Sequence, residues 1–252
     1  HLRRWIQVLS FLLALGISAP SRTSLLAQDR AGEQPSSPES AGPALTGPRE
    51  EDSSAALEQA MDLERRKDWA GAIEAYENAV KTWPSRVEFR QRLRLCEIHY
   101  RLGRRYQDSS FRNVLLRLPR DRAIDLFEEV LDRIETHYVE SVAIDQLIRR
   151  GYDNLDVALR DDVFLKTHLP GLDARATAAV RESLRGRRAL LAALDRDRAR
   201  AEVIAACEDL QQWLRISAAP VVLEFVYGCC DALDDYTSYL TPDKLEDLYA
   251  MI

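Results

Sequence analysis

The sequence predicts an all-α protein, and three observations carry that expectation. In RDRAIDLFEEVLDRIETHYVE the apolar residues Ile124, Phe127, Val130, Leu131, Ile134 and Tyr138 recur at helical spacing, with acids and arginines on the opposite face. The same period returns in SVAIDQLIRRGYDNLDVAL through Ile144, Leu147, Ile148, Leu155 and Leu159. Near the end, Thr241 and Pro242 form a helix-start pair, because a hydroxyl side chain caps a first turn and proline fits its first position. With 46% hydrophobic residues in 252, the chain has apolar material for one or two compact domains.

Residues 1–27 read as a secretory signal. Arg3 and Arg4 precede the apolar run Trp5 to Ile17, and small residues lead to a cleavage position after Ala27. The run falls short of the roughly 20 apolar residues of a membrane span; an uncleaved amino-terminal anchor is the alternative reading. The mature protein is therefore expected in the periplasm or cell envelope. Residues 28–52, rich in Pro, Ser, Gly and Glu, bury too little apolar surface to offset their ordering entropy and are expected to be a disordered linker. The chain opens on His1 and closes soon after a helix-start signal, which reads as a fragment cut at both ends.

Residues 53–118 are expected to be a helical region that resembles the tetratricopeptide repeat. Ser53 to Arg86 places Ala60, Ala72, Tyr76, Ala79 and Pro84 where a 34-residue unit of that family puts its small and aromatic contacts and its final turn. Small residues let antiparallel helices approach, Tyr76 fills the space between them, and Pro84 ends the second helix. A degenerate second unit follows, with Leu93, Cys96 and Tyr100 on one stripe. A lone repeat leaves an apolar face uncovered, so it is expected to dock on neighbouring helices. An ordinary helical hairpin is the simpler reading of the same residues.

Residues 119–252 begin with the two amphipathic helices quoted above. One long helix is then expected near 173–215, with Val180, Leu184, Leu191, Leu194, Ala201, Ile204 and Leu214 as its stripe and Gly186 as its weak point. Its arginines, Arg181, Arg185, Arg187, Arg188, Arg196, Arg198 and Arg200, read as a solvated face offset by Glu182, Asp195, Asp197 and Glu202 rather than a docking surface for an acidic partner. An apolar helix from about Pro220 to Leu233, an irregular turn from Asp234 to Leu240, and a helix capped by Thr241 complete the chain.

Two of these stretches resemble the amino-terminal region of the carboxyl-terminal processing peptidases, the tail-specific proteases. The matching residues are Tyr138 and Val139 at the end of the first amphipathic helix. In the terminal turn they are Leu233, Asp234, Tyr236, Thr237, Ser238, Tyr239, Leu240, Thr241 and Pro242. The likeness covers Leu126 to Leu159 and Val221 to Ile252; the section from Arg160 to Pro220 looks like an insertion and the repeat like an addition. The resemblance implies that a PDZ domain and a serine–lysine catalytic core follow, so this region supplies no catalytic residue. It also implies protein or peptide substrates for the parent enzyme. In that mechanism a serine attacks a peptide carbonyl, and a lysine whose pKa is lowered by burial takes the proton. The alternative from another class is a secreted helical adaptor that binds proteins through its repeat.

Ser238 invites a nucleophile reading beside Asp234, Asp235 and Lys244, but a turn serine between acids usually serves backbone hydrogen bonds. No cofactor or metal site is expected, since the four histidines and four cysteines have no ligand spacing. Cys229 and Cys230 point apart on a helix; Cys207 could reach one of them, although core thiols are the simpler reading. His99, His137 and His168 are assigned no role. A net charge of −6 argues against nucleic acid as a partner.

Overall fold

The computed structural model describes residues 50–171, 174–234 and 237–251. The signal, nearly all of the linker, and Asp235, Tyr236 and Ile252 lie outside them. Eleven α-helices and one 3-10 turn make up the described residues, with no strand among them, so the all-α expectation holds. None of these helices is long and apolar enough to cross a membrane.

Helices α1 (Glu50–Arg65), α2 (Trp69–Thr82) and α3 (Val87–Gln107) form the repeat-like unit. Lys67, in left-handed conformation at φ 60°, turns the chain between α1 and α2, and the Asp68 side chain caps α2 at the Gly71 N–H (3.1 Å). Ala60, Ala72, Tyr76 and Ala79 are all buried there, with Phe89 and Cys96 of α3. The absence of side chain at the alanines brings α1 and α2 together, and the Tyr76 hydroxyl reaches Glu64 across the gap. Pro84 lies in the exposed turn before α3.

Tyr100 departs from the expected stripe. It is exposed, and α3 instead buries Phe89, Cys96, Ile98, Leu102 and Tyr106. The reason is that α3 serves two cores. Its first half closes the small cluster of the hairpin, while Leu102 and Tyr106 belong to the main core, which also takes Phe111 and Leu115. The boundary expected between residues 118 and 119 therefore does not separate the two clusters.

Past the short α4 (Ser109–Asn113) and the 3-10 turn Leu115–Arg117 come α5 (Arg120–His137), α6 (Ile144–Ala158) and α7 (Asp162–His168). The long helix expected near 173–215 is two helices, α8 (Ala174–Leu190) and α9 (Arg196–Leu214). The break falls at Leu191–Asp195, where the Asp195 side chain accepts from the Arg198 N–H (2.8 Å), and Gly186 stays helical. Arg215, at φ 58°, closes α9 in a left-handed turn; its N–H and that of Ile216 return to Gln211 and Leu210.

That turn delivers α10 (Ala218–Asp231) into the centre of the molecule, where every residue from Ala219 to Cys230 is buried. A helix apolar all round needs cover on all sides, and α5, α6, α9 and the 3-10 turn provide it. The closest pairing is with α6, through Gly151 and Gly228. The section that looked like an insertion is part of this core, since Val203, Ala206, Leu210 and Leu214 pack within it. Helix α11 (Pro242–Ala250) lies against α4, with Leu245 buried.

Candidate functional site

The residues that carried the family resemblance meet at one end of the bundle. Tyr138 caps the end of α5 and packs against the same core as Leu233 and Tyr239; burial and then the neighbouring Asp234 carboxylate push its phenol up. Asp234 also accepts from the Thr237 N–H (2.7 Å) and hydroxyl (2.9 Å), folding the turn onto itself. Tyr239 then sets its ring edge-on to Tyr227 of α10, with centroids 5.9 Å apart. Val139, the other half of the first motif, is 89% exposed and has no packing role in this arrangement.

Thr241 does not cap α11 with its own oxygen. Its hydroxyl donates to Asp108, while Ser110 Oγ accepts the Asp243 N–H (3.2 Å) and Ser109 donates to the Asp243 carboxylate (2.6 Å). Asp108 simultaneously caps α4, accepting from Ser110 N–H and Oγ and from Phe111 N–H (2.9, 2.7 and 3.1 Å). Burial works against the charge on Asp108, but these hydrogen bonds prevail and hold its carboxyl below the usual range. Two helix starts are thus tied through one carboxylate.

Beneath the turn lies a buried charged group. The Arg105 guanidinium of α3 contacts both oxygens of Glu224 on α10 (3.0 and 2.8 Å) and lies 4.0 Å over the Tyr227 ring. Both charged side chains are almost wholly buried. Burial pushes the Glu224 carboxyl up and Arg105 opposes it. Arg105 Nε and the Tyr227 hydroxyl have no hydrogen-bond partner among the described residues. On the other side of α3, His99 Nδ1 is 2.7 Å from Asp161 and its ring stacks on Trp69 at 4.2 Å. The Tyr106 hydroxyl meets His168 Nε2 at 2.7 Å, and burial lowers His168 to about 4. Two histidines left without a role in the sequence thus hold packing contacts, while His137 is exposed. One signal of the buried pair is local: Glu224 is the only charged residue in the apolar run Ala218–Cys230.

Among the described residues the serine and thiol candidates of the sequence are placed as follows. Ser238 is exposed, and its hydroxyl makes no hydrogen bond among the described residues. All four cysteines are free and buried, so the bridge from Cys207 to Cys229 or Cys230 is not formed. Burial pushes Cys96, Cys207 and Cys230 up to about 12 and raises Cys229 as well, which suppresses the thiolate. Lys67, Lys81, Lys166 and Lys244 are exposed. Among the described residues, no group of three or more His, Cys, Asp or Glu is arranged to hold a metal ion.

The arginines of α8 and α9 are more engaged than a solvated face would be. Arg187 pairs with Asp209 (2.9 Å), Arg188 with Asp153 (2.6 Å), Arg196 with Asp132 and Glu135 (3.1 and 2.5 Å), and Arg200 with Glu128. These partners lie on other helices, and they add to the nearby acids the sequence offered, where Arg185 meets Glu182 (3.4 Å), Arg198 meets Asp195 (3.7 Å) and Arg187 meets Glu202 (3.9 Å). An open groove of about 590 Å³ lies between α9 and the start of α10, lined by Arg120, Cys207, Glu208, Arg215 and Ser217 among others.

No family model, curated protein or solved structure matches the chain.

Proposed function

We propose that this chain is the helical, non-catalytic amino-terminal region of an exported serine peptidase of the carboxyl-terminal processing type. The observation that supports the reading is that Tyr138 packs against the same core as Leu233 and Tyr239, because the two stretches that resemble the family meet there. The terminal turn is tied into the bundle by Tyr239, Thr241 and Asp243, and a turn so anchored gives α11 a fixed direction. In this reading the described helices orient the substrate-binding and catalytic domains and carry no chemistry themselves.

The test is to read the frame beyond the codon for Ile252 and to assay the encoded product on a reporter protein with an unstructured carboxyl terminus. A PDZ-like sequence followed by a serine and a downstream lysine, with cleavage lost in the serine-to-alanine variant, is the expected result. A stop codon shortly after Ile252 would overturn the peptidase reading and leave the secreted adaptor. Loss of cleavage in a folded full-length Ser238→Ala variant would instead move the chemistry into this region.

A further inference from the structure

We propose that the outer seam between α6 and α8 is a binding site for a doubly charged oxyanion, a phosphate group, held by Arg160, Arg181 and Arg185. These three guanidiniums converge on one carboxylate, Asp156. Arg181 contacts it through Nε (2.8 Å) and Nη2 (3.3 Å), Arg160 through Nη2 (3.0 Å), and Arg185 through Nε (3.5 Å). Arg181 and Arg185 stand one helical turn apart on α8, and Arg160 lies in the turn that follows α6, four residues after Asp156.

The cluster is built to hold more negative charge than it contains. Each guanidinium has five N–H donors and a carboxylate offers about four acceptor sites. One further donor, Arg160 Nε, goes to the Asp156 carbonyl (3.2 Å). Another, Arg185 Nη1, meets Glu182 (3.4 Å), a side chain 79% exposed that solvent competes for. The remaining N–H groups have no protein acceptor among the described residues. Burial and the neighbouring Arg181 and Arg185 depress Arg160 despite Asp156, as expected where like charges are not neutralised.

The inner members are fixed and the outer ones reachable. Asp156 and Arg181 are 17% and 18% exposed, Arg160 and Arg185 37% and 50%. One turn earlier on α6, Asp153 is shared by Arg150 (3.7 Å) and Arg188 (2.6 Å), which extends the positive field along the seam. Elsewhere on these helices an arginine has a carboxylate of its own, as Arg187 and Arg200 do. Three cations against Asp156 and Glu182 leave an excess of one positive charge, and of two where the exposed Glu182 turns to solvent, which a dianion matches. Guanidinium forks also match the oxygen spacing of phosphate.

The experiment is calorimetric titration of the full chain with inorganic phosphate at about pH 8, where phosphate is a dianion, against sodium nitrate at matched ionic strength. Saturable binding by phosphate alone is expected, with loss of at least ~10-fold in affinity in the Arg160→Gln/Arg185→Gln variant. Arg160 is partly buried and holds Asp156, so circular dichroism must show the variant folded, and Arg185→Gln alone, at the more exposed position, should also weaken phosphate binding without changing melting. Phosphate heat no greater than nitrate heat, or unchanged phosphate affinity in the folded variant, would overturn the proposal. A second arm, sedimentation with vesicles containing phosphatidic acid, separates the sources. Pelleting that the same substitutions abolish places the phosphate on a lipid headgroup, and absence of pelleting with intact phosphate binding places it on a soluble compound.

Discussion

Gly228 of α10 rests directly on the backbone of Gly151 in α6: a Cβ added at Gly228 would lie 2.5 Å from the Gly151 Cα and nitrogen. Neither backbone can retreat without moving a helix. Gly228→Ala should therefore cost about 2–3 kcal/mol of stability even though alanine is the better helix former. Gly103→Ala and Gly186→Ala, where an added Cβ meets nothing within 4 Å, should each gain about 0.5–1 kcal/mol. Urea unfolding midpoints of the three variants check this; a Gly228→Ala protein as stable as the parent would refute the close crossing.

Arg105 and Glu224 form a buried pair whose two halves depend on each other. Arg105→Met strands a carboxylate in the core and should destabilise by about 3–5 kcal/mol, while Arg105→Met combined with Glu224→Leu should recover much of that loss. A double-mutant cycle measures the coupling. Additive losses would show that the pair is not a unit.

His168 gives the fold an acid-sensitive step. Its pKa falls from 6.5 to about 4 on burial, so between those values the unfolded chain binds a proton that the folded chain does not. Stability is therefore retained above pH 6.5 and lost as pH falls towards 4, by roughly 2 kcal/mol after allowance for the ring's partial exposure. Asp108 also loses its contribution on acidification, but only as pH falls from 3.8 to its depressed folded value, below the window of His168. In His168→Gln the slope between pH 6.5 and 4 should flatten while the parent retains it, as read from unfolding free energy against pH.

Asp108→Ala removes a cap from α4 and the acceptor of Thr241 at once. A loss of about 2 kcal/mol is expected, with roughly 1 kcal/mol for Thr241→Val. Because α11 is anchored there, trypsin should cut after the exposed Lys244 several-fold faster in Asp108→Ala than in the parent. Equal cutting rates would mean that Leu245 and the Ser109 and Ser110 contacts to Asp243 hold α11 without Asp108.

The thiols should be silent in the folded protein and all present in the unfolded one. Burial raises each of them, so Ellman's reagent should react in seconds only after denaturation, counting four thiols without prior reduction. Two thiols in the unreduced, denatured chain would reveal a bridge.

Helix faces were legible because their period is local. Ala60, Ala72, Tyr76, Ala79, Ile124, Phe127 and Leu155 are buried as their spacing required. Tyr100 misled because α3 changes partners along its length, and a single stripe cannot describe a helix that meets two cores. The break between α8 and α9 was signalled by the capping residue Asp195, not by Gly186, since a glycine weakens a helix but an Asp at its start redirects the backbone hydrogen bonds. The Arg105–Glu224 pair, the Thr241–Asp108 bond and the His99–Asp161 contact join residues far apart in sequence, and no local period encodes them.

The shared helix α3 also limits how this molecule can be taken apart. A cut after the hairpin would strip Phe89 and Cys96 from their cover, and a cut before α3 would remove Leu102, Arg105 and Tyr106 from the main core. The repeat-like unit is accordingly not a detachable module that could be grafted or lost on its own. Any lineage or engineer that exchanges it must replace α3 as a whole and supply Glu224 with a new counter-ion.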